Sequence, residues 1–273
     1  MRVFLFITLA TFCAPHLIAQ DNCKAFLWAG DTAKYQACEY IQQAPRYFQL
    51  TRQHHAIRDS AIKIAPHYSY PYWAKSIAYL KTGDFLNWKK LIDKAVELDQ
   101  EKYLGYRGWC RFQFFRDYDG AIQDIEQLER LFQGHDIGYS QNGDYHLNVA
   151  KALCFKMLGE KQKALNILES HLDEHEAIMP YDYLHLGVMY FENEQYDNAL
   201  TALNRQSNEN ELADNQYYLA KVHEALGNDE QKIVNLEMAK TLYEQRRFMN
   251  DVYTHQVDKV YLGQIQEELG KLR

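Results

Sequence analysis

Proline is scarce in this chain, with five residues in 273, so little in it forbids long helices. Alternating Val, Ile and Thr runs of the strand type are also few, while Ala, Leu, Glu, Gln and Lys are common; that composition predicts an all-α protein. No Asn-x-Ser/Thr sequon occurs anywhere, so nothing marks a glycosylated surface loop. Basic residues are outnumbered, 30 Lys and Arg against 37 Asp and Glu. The basic ones are scattered, which argues against nucleic acid and against anionic membrane surfaces as partners. Apart from the first residues, no stretch approaches the roughly 20 apolar residues a membrane helix needs, so no membrane span is expected in the mature chain.

The first residues read as an export signal. Arg2 supplies a short positive region, Val3 to Cys13 is an apolar run, Ala14-Pro15-His16 breaks it, and small Ala19 precedes Gln20-Asp21-Asn22. That run is too short for a stable anchor and has the layout of a secretory signal peptide, with cleavage expected near Ala19. A periplasmic or secreted location follows, and the mature net charge becomes about −8 on losing Arg2. Of five cysteines, Cys13 leaves with residues 1–19. Cys23 and Cys38, near the mature N-terminus in an oxidising compartment, are expected to pair. Cys110 and Cys154 sit within helical patterns, where free cysteine behaves as a small buried hydrophobe. None of the spacings is a CxxC or a zinc ligand set.

Self-similarity supplies the architecture. Tight turns recur at Gly83-Asp84-Phe85, Arg116-Asp117-Tyr118, Gly159-Glu160-Lys161, Glu194-Gln195-Tyr196 and Gly227-Asn228-Asp229, with first residues 33, 43, 35 and 33 apart. The long interval contains residues 136–144, rich in Gly, Ser and Asn, which read as an inserted loop. Between the turns, Tyr183, Leu186-Gly187, Tyr190, Tyr196 and Ala199 form one pattern of large, small and aromatic residues. Lys151-Ala152, Phe155, Gly159 and Ala164 repeat it upstream, and Leu219-Ala220, Gly227 and Ala239 downstream. Upstream again, Ala61-Ile62-Lys63-Ile64-Ala65-Pro66 and Ala95-Val96-Glu97-Leu98-Asp99-Gln100 read as endings of second helices. The chain thereby resembles the tetratricopeptide repeat (TPR) family, and specifically an exported bacterial member of it.

That resemblance implies a right-handed α-solenoid of about six helix pairs over residues 35–246, after a leader at 20–34 and before a C-terminal helical cap at 247–273. The first pair is degenerate, because Pro45 must end its first helix early. In the cap, Val257, Val260, Tyr261, Gln264, Ile265 and Leu269 lie at helical spacing. Small residues such as Gly187, Ala152, Ala220 and Ala199 mark where helices cross closely.

Catalytic motifs are mostly missing: no GxSxG, no glycine-rich phosphate loop and no HExxH. His171-Leu172-Asp173-Glu174-His175 matches H-x-x-E-H, in which two histidines one turn apart could reach a metal with Glu174 as base. The repeat phase weighs against it, since His171 takes the place of the second-helix Ala. The expectation is therefore no enzyme, no cofactor and no metal, with a zinc hydrolase as the least favoured alternative.

The resemblance also implies a concave groove lined by the second and fifth positions of each first helix. These are Tyr70, Tyr103, His146, Tyr181 and Asp214, with Trp73, Tyr106, Val149, Leu184 and Tyr217. Six of the ten are Tyr or Trp, against 14% aromatic residues overall, and none is Lys or Arg, so capture of a terminal carboxylate is not the expected mode. An aromatic wall suits a protein or peptide partner, or alternatively a glycan or small ligand. Its rings could equally be packed on one another or covered by the C-terminal helix.

Overall fold

The computed structural model describes residues 22–175 and 178–272. The signal peptide expected at 1–19 lies outside them. Among the described residues there are fourteen α-helices, one short 3-10 turn, one π-turn and a single isolated bridge between Tyr139 and His146. Two compact units divide the chain, one ending at Ala78 and one beginning at Tyr79.

In the N-terminal unit, α1 (Lys24–Trp28) and α2 (Thr32–Ile41) are tied by a disulfide between Cys23 and Cys38, with Cα atoms 5.5 Å apart. The leader is thus part of the folded unit. Asp31 caps α2 by accepting from the Lys34 N–H at 2.9 Å, and its other oxygen meets His67 Nε2 at 3.0 Å. Helix α2 stops at Ile41, and Pro45 sits in the 3-10 turn Ala44–Arg46, where its missing N–H and fixed φ are tolerated. α3 (Arg52–Ile64) packs on α2, and Ala37, Ile41, Ala61, Ala65 and Tyr68 close a small core around the disulfide. α4 (Ser69–Thr82) follows and crosses the boundary between the units.

The second unit is a run of helices. α5 (Phe85–Leu98) packs on α6 (Gln100–Cys110), and α6 on α7 (Tyr118–Phe132). Successive pairs are α8 (Leu147–Met157) with α9 (Lys161–Glu174), α10 (Asp182–Glu192) with α11 (Tyr196–Glu209), and α12 (Ala213–Ala225) with α13 (Asp229–Glu244). The punctuation is repetitive. Asp84, Asp99, Asp117 and Asn228 each cap a helix by accepting a backbone N–H three residues on. The first residue of every turn that marks the repeat, Gly83, Arg116, Gly159, Glu194 and Gly227, has φ between 55° and 84°. That left-handed backbone is what stops each first helix and turns the chain back. Apolar faces such as Ala164, Leu165, Leu168, Leu184, Val188 and Leu203 are fully or nearly buried between the pairs, as marginal helices require.

Two departures from regularity matter for the site. After α6 the chain continues as a π-turn, Arg111–Phe115, before Arg116 reverses it. The tail differs from the continuous helical cap expected from spacing: only α14 (Leu262–Gly270) is helical, and Val257 and Val260 precede it on irregular backbone with Asp258 at φ 64°. α14 packs on α13, with Ile265 and Val260 buried against Ala239 and against the half-buried Tyr217 and Tyr218.

Candidate functional site

The rows expected to line a groove are largely buried. In the N-terminal unit Tyr70 and Trp73 keep partial exposure, with Tyr70 6.0 Å from Tyr68 and 5.5 Å from Trp73 between ring centres. In the second unit Tyr103, Tyr106, His146, Tyr181, Leu184 and Asp214 are buried, and only Tyr217 remains partly open.

Part of that cover comes from the segment between α13 and α14, which touches α8, α10 and α12. Asp214, at the start of α12, accepts from the Met249 N–H at 2.8 Å and the Val260 N–H at 2.7 Å. The Ala213 N–H donates to the Arg247 carbonyl at 2.8 Å. From the π-turn, Gln113 donates to Thr254 Oγ1 at 2.6 Å, and Arg116 donates to the His255 carbonyl. Gln256 reaches Asp144 of the inserted loop at 3.3 Å.

Charge is concentrated at Asp258. Lys156 of α8 donates to its Oδ1 at 2.5 Å, and His185 of α10 meets its Oδ2 at 2.8 Å. The side chains of Lys156, Asp258 and His185 are 6%, 6% and 0% exposed. Burial pushes the Asp258 carboxyl upward, but the Lys156 charge and the His185 bond outweigh it and hold it at about 2. Burial alone would lower Lys156; the charges of Asp258 and Glu192 raise it instead.

Asp182, at the first position of α10, stands opposite in sign. It is fully buried and bonded only through Oδ2 to the Met179 N–H at 2.8 Å, leaving Oδ1 without a partner. Burial therefore pushes its carboxyl up to about 7. A raised carboxyl pKa favours folding below the unfolded value near 3.8, and that advantage fades as pH rises through 7. Asp182→Asn should accordingly melt close to the unsubstituted protein at pH 4 and above it at pH 8. Parallel pH profiles in thermal melts of the two proteins would contradict this reading.

Three histidines form a second group. His146, the N-cap of α8, lies with its ring centre 4.3 Å from His171 and 5.1 Å from His175, and His171 and His175 are 4.3 Å apart. The i, i+4 pair of the H-x-x-E-H segment thus faces one way, toward a third histidine that the sequence marked only as a groove position. Burial, reinforced by the neighbouring rings, lowers the His171 imidazole to about 3. Burial also lowers His146 despite its bond to Asp136. Both are neutral at pH 7.

No protein-family model and no curated protein matches this chain. Solved structures do. A structure from the functional characterization of Pseudomonas aeruginosa pilF is similar over 87% of this chain and 99% of its own, with TM-score 0.62 and 14% identity. PilW, described as a widely conserved type IV pilus biogenesis factor, is similar over 90% and 96%, with TM-score 0.61 and 13% identity. YrrB, described as a TPR protein with an unusual peptide-binding site, is similar over 68% and 92%, with TM-score 0.51 and 19% identity. At such identities the likeness is one of fold. The chain has the all-α tetratricopeptide-repeat solenoid fold, and no described helix is long and apolar enough to cross a membrane.

Proposed function

We propose that this protein is an exported, non-catalytic interaction scaffold that binds a protein or peptide segment along the first helices of its repeats. The fold supports a binding role in general terms, because helix pairs stacked in series offer a long continuous surface rather than a catalytic pocket. Export rests on the signal-like first residues, and the Cys23–Cys38 bond suits an oxidising compartment. The pilus biogenesis factor PilW carries the same fold over nearly the same length, which is compatible with work in a cell envelope.

One observation carries the peptide reading: first helices of the second unit already bind an irregular, non-helical segment of the chain. Residues 249–260 are held by two main-chain donors on Asp214 and by one acidic side chain between Lys156 and His185. Those are the contacts of peptide recognition, with backbone bonds for affinity and a charged anchor for specificity. In this reading the chain's own tail covers part of that face, with Gln256 and Asn250 against Tyr181, while His146 is buried by Asp136, His171 and His175. Tyr217 keeps partial exposure on that face, and a partner that competes with the tail gains more of it.

Photo-crosslinking in the native cell tests it. Benzoylphenylalanine at Trp73 or Tyr217 is expected to capture one protein, and at the exposed Ile233 or Met238 of α13 to capture none. Capture from α13 with silence at both first-helix positions would rule the face out.

A further inference from the structure

Among the described residues, a group of metal-ligating side chains outside the tail contacts is the histidine triangle between α8, α9 and the inserted loop. One ring nitrogen from each of His146, His171 and His175 lies within 4.8 Å of the other two. His171 is 2% exposed, and neither of its ring nitrogens has a hydrogen-bond partner. An imidazole buried in that way leaves a donor and an acceptor unmet, which proteins rarely tolerate without a ligand to satisfy them.

The other two rings are each tethered at one nitrogen. His175 Nδ1 donates to the His171 carbonyl at 2.9 Å, which leaves the Nε2 lone pair available. His146 Nε2 donates to Asp136 Oδ1 at 2.8 Å, and its Nδ1 accepts the Asn148 N–H at 3.1 Å, a single cap bond that coordination at that nitrogen would replace. A carbonyl or carboxylate behind the ring is the usual partner of a metal-bound histidine, since it fixes the tautomer and strengthens the donor. Asp136, Glu129, Glu174 and Asn148 line a cavity of about 250 Å³ with His146 and His175. The carboxylates there favour a cation.

We propose that His146, His171 and His175 form a binding site for a divalent transition-metal ion of the zinc type, with Asp136 and the His171 carbonyl as outer partners. Three imidazoles suit Zn²⁺, Cu²⁺ and Ni²⁺ and not Mg²⁺ or Ca²⁺, which take oxygen ligands. A tetrahedral ion with bonds of about 2.0–2.1 Å holds its nitrogens about 3.3 Å apart. The separations, none above 4.8 Å, must therefore close by at most about 1.5 Å, within reach of rotating side chains at a helix start, a helix end and a loop. A bound ion would fasten the inserted loop and the start of α8 to the end of α9, joining elements whose ligands lie 25 residues apart in sequence (His146 to His171). The competing account is three rings packed on one another without a ligand, which leaves both His171 nitrogens unmet.

Titration calorimetry decides between them, using the untagged full chain, chelator-treated and dialysed, with zinc chloride at pH 7. One ion per chain is expected, together with a rise of several degrees in melting temperature. His171→Ala and the milder His175→Gln should each weaken binding at least tenfold with helical circular dichroism intact, while His223→Gln on α12 should not. Loading with Co²⁺ should give the intense visible absorption of a four-coordinate site, lost in His175→Gln. No stoichiometric zinc binding, or binding unchanged in His175→Gln, would overturn the proposal.

Discussion

Asp258→Ala is expected to lower the melting temperature by about 6 °C or more. The substitution removes the partner of a Lys156 ammonium that is almost wholly buried and of a His185 ring with no exposure. Breaking one side of a buried ion pair costs about 3–5 kcal/mol, because the remaining charge has neither water nor a counter-ion. Each kcal/mol shifts the melting point by about 2–4 °C in a chain of this size. Glu192 lies 3.1 Å from Lys156 and softens the loss, so the lower end of that range is the sounder expectation. Asp258→Asn should fall between the two, keeping an acceptor for Lys156 without its charge. The pH dependence follows from the sign of the shift. Asp258 is held at about 2, below its usual value, so its contribution is present above pH 4 and is lost as pH falls from about 4 toward 2. The gap in stability between the two proteins, measured by urea unfolding, should therefore narrow from pH 5 to pH 3. Faster proteolysis at Lys259 in the variant would tie the loss to release of the tail. A gap that is small at pH 5 would mean the tail is held mainly by Asp214 and its two backbone donors.

The parts of this fold that could be read from the sequence are those set by local chemistry. The turn residues stood out because a helix can reverse there only through a left-handed residue, and all five adopt one, including Arg116 and Glu194, which have side chains to accommodate. Pro45 gave away the early stop of α2 through its missing N–H. What escaped was set by distant contacts. Val257 and Val260 have helical spacing, yet the Val260 and Met249 N–H groups go to Asp214 rather than into a helix. Thr254, Gln256 and Asp258 look like surface residues until their partners on the π-turn, the inserted loop, α8 and α10 are known. For the same reason the sequence leaves open whether the groove rings Tyr103 and Tyr181 are exposed or covered; they are buried. The histidine triangle was half visible: an i, i+4 pair can be seen in one helix, but its third member depends on how α8 and α9 pair.

Gly187→Val should be the most damaging single change within the repeats, at about 3 kcal/mol. Gly187 lies where α10 crosses α11. A Cβ there would come within 2.5 Å of Leu203 Cγ and 2.6 Å of its Cδ2, with the Leu203 backbone nitrogen at 3.3 Å. Leu203 has little room to retreat, since it is fully buried and its carbonyl accepts from Asn215 Nδ2 at 2.9 Å. Overpacking of this kind costs about 1–3 kcal/mol and occasionally more. Two opposing terms must be set against each other. Replacing a mid-helix glycine with alanine gains up to about 1 kcal/mol in helix propensity, whereas valine recovers only a few tenths. Gly187→Ala should therefore lose about 1 kcal/mol net, and Gly187→Val, with two more methyl groups and the same gap, about three times as much. Gly105 is the internal comparison, because its Cβ would meet only side-chain tips, Leu147 Cδ1 at 2.7 Å and Leu128 Cδ2 at 3.2 Å, rather than a branch point and a backbone nitrogen. Gly105→Ala should accordingly be nearer neutral than Gly187→Ala in chemical denaturation. If the two alanine variants lose the same amount, close helix approach is not what demands glycine at this repeat position, and the match of Leu186-Gly187 to the repeat pattern would need another physical cause.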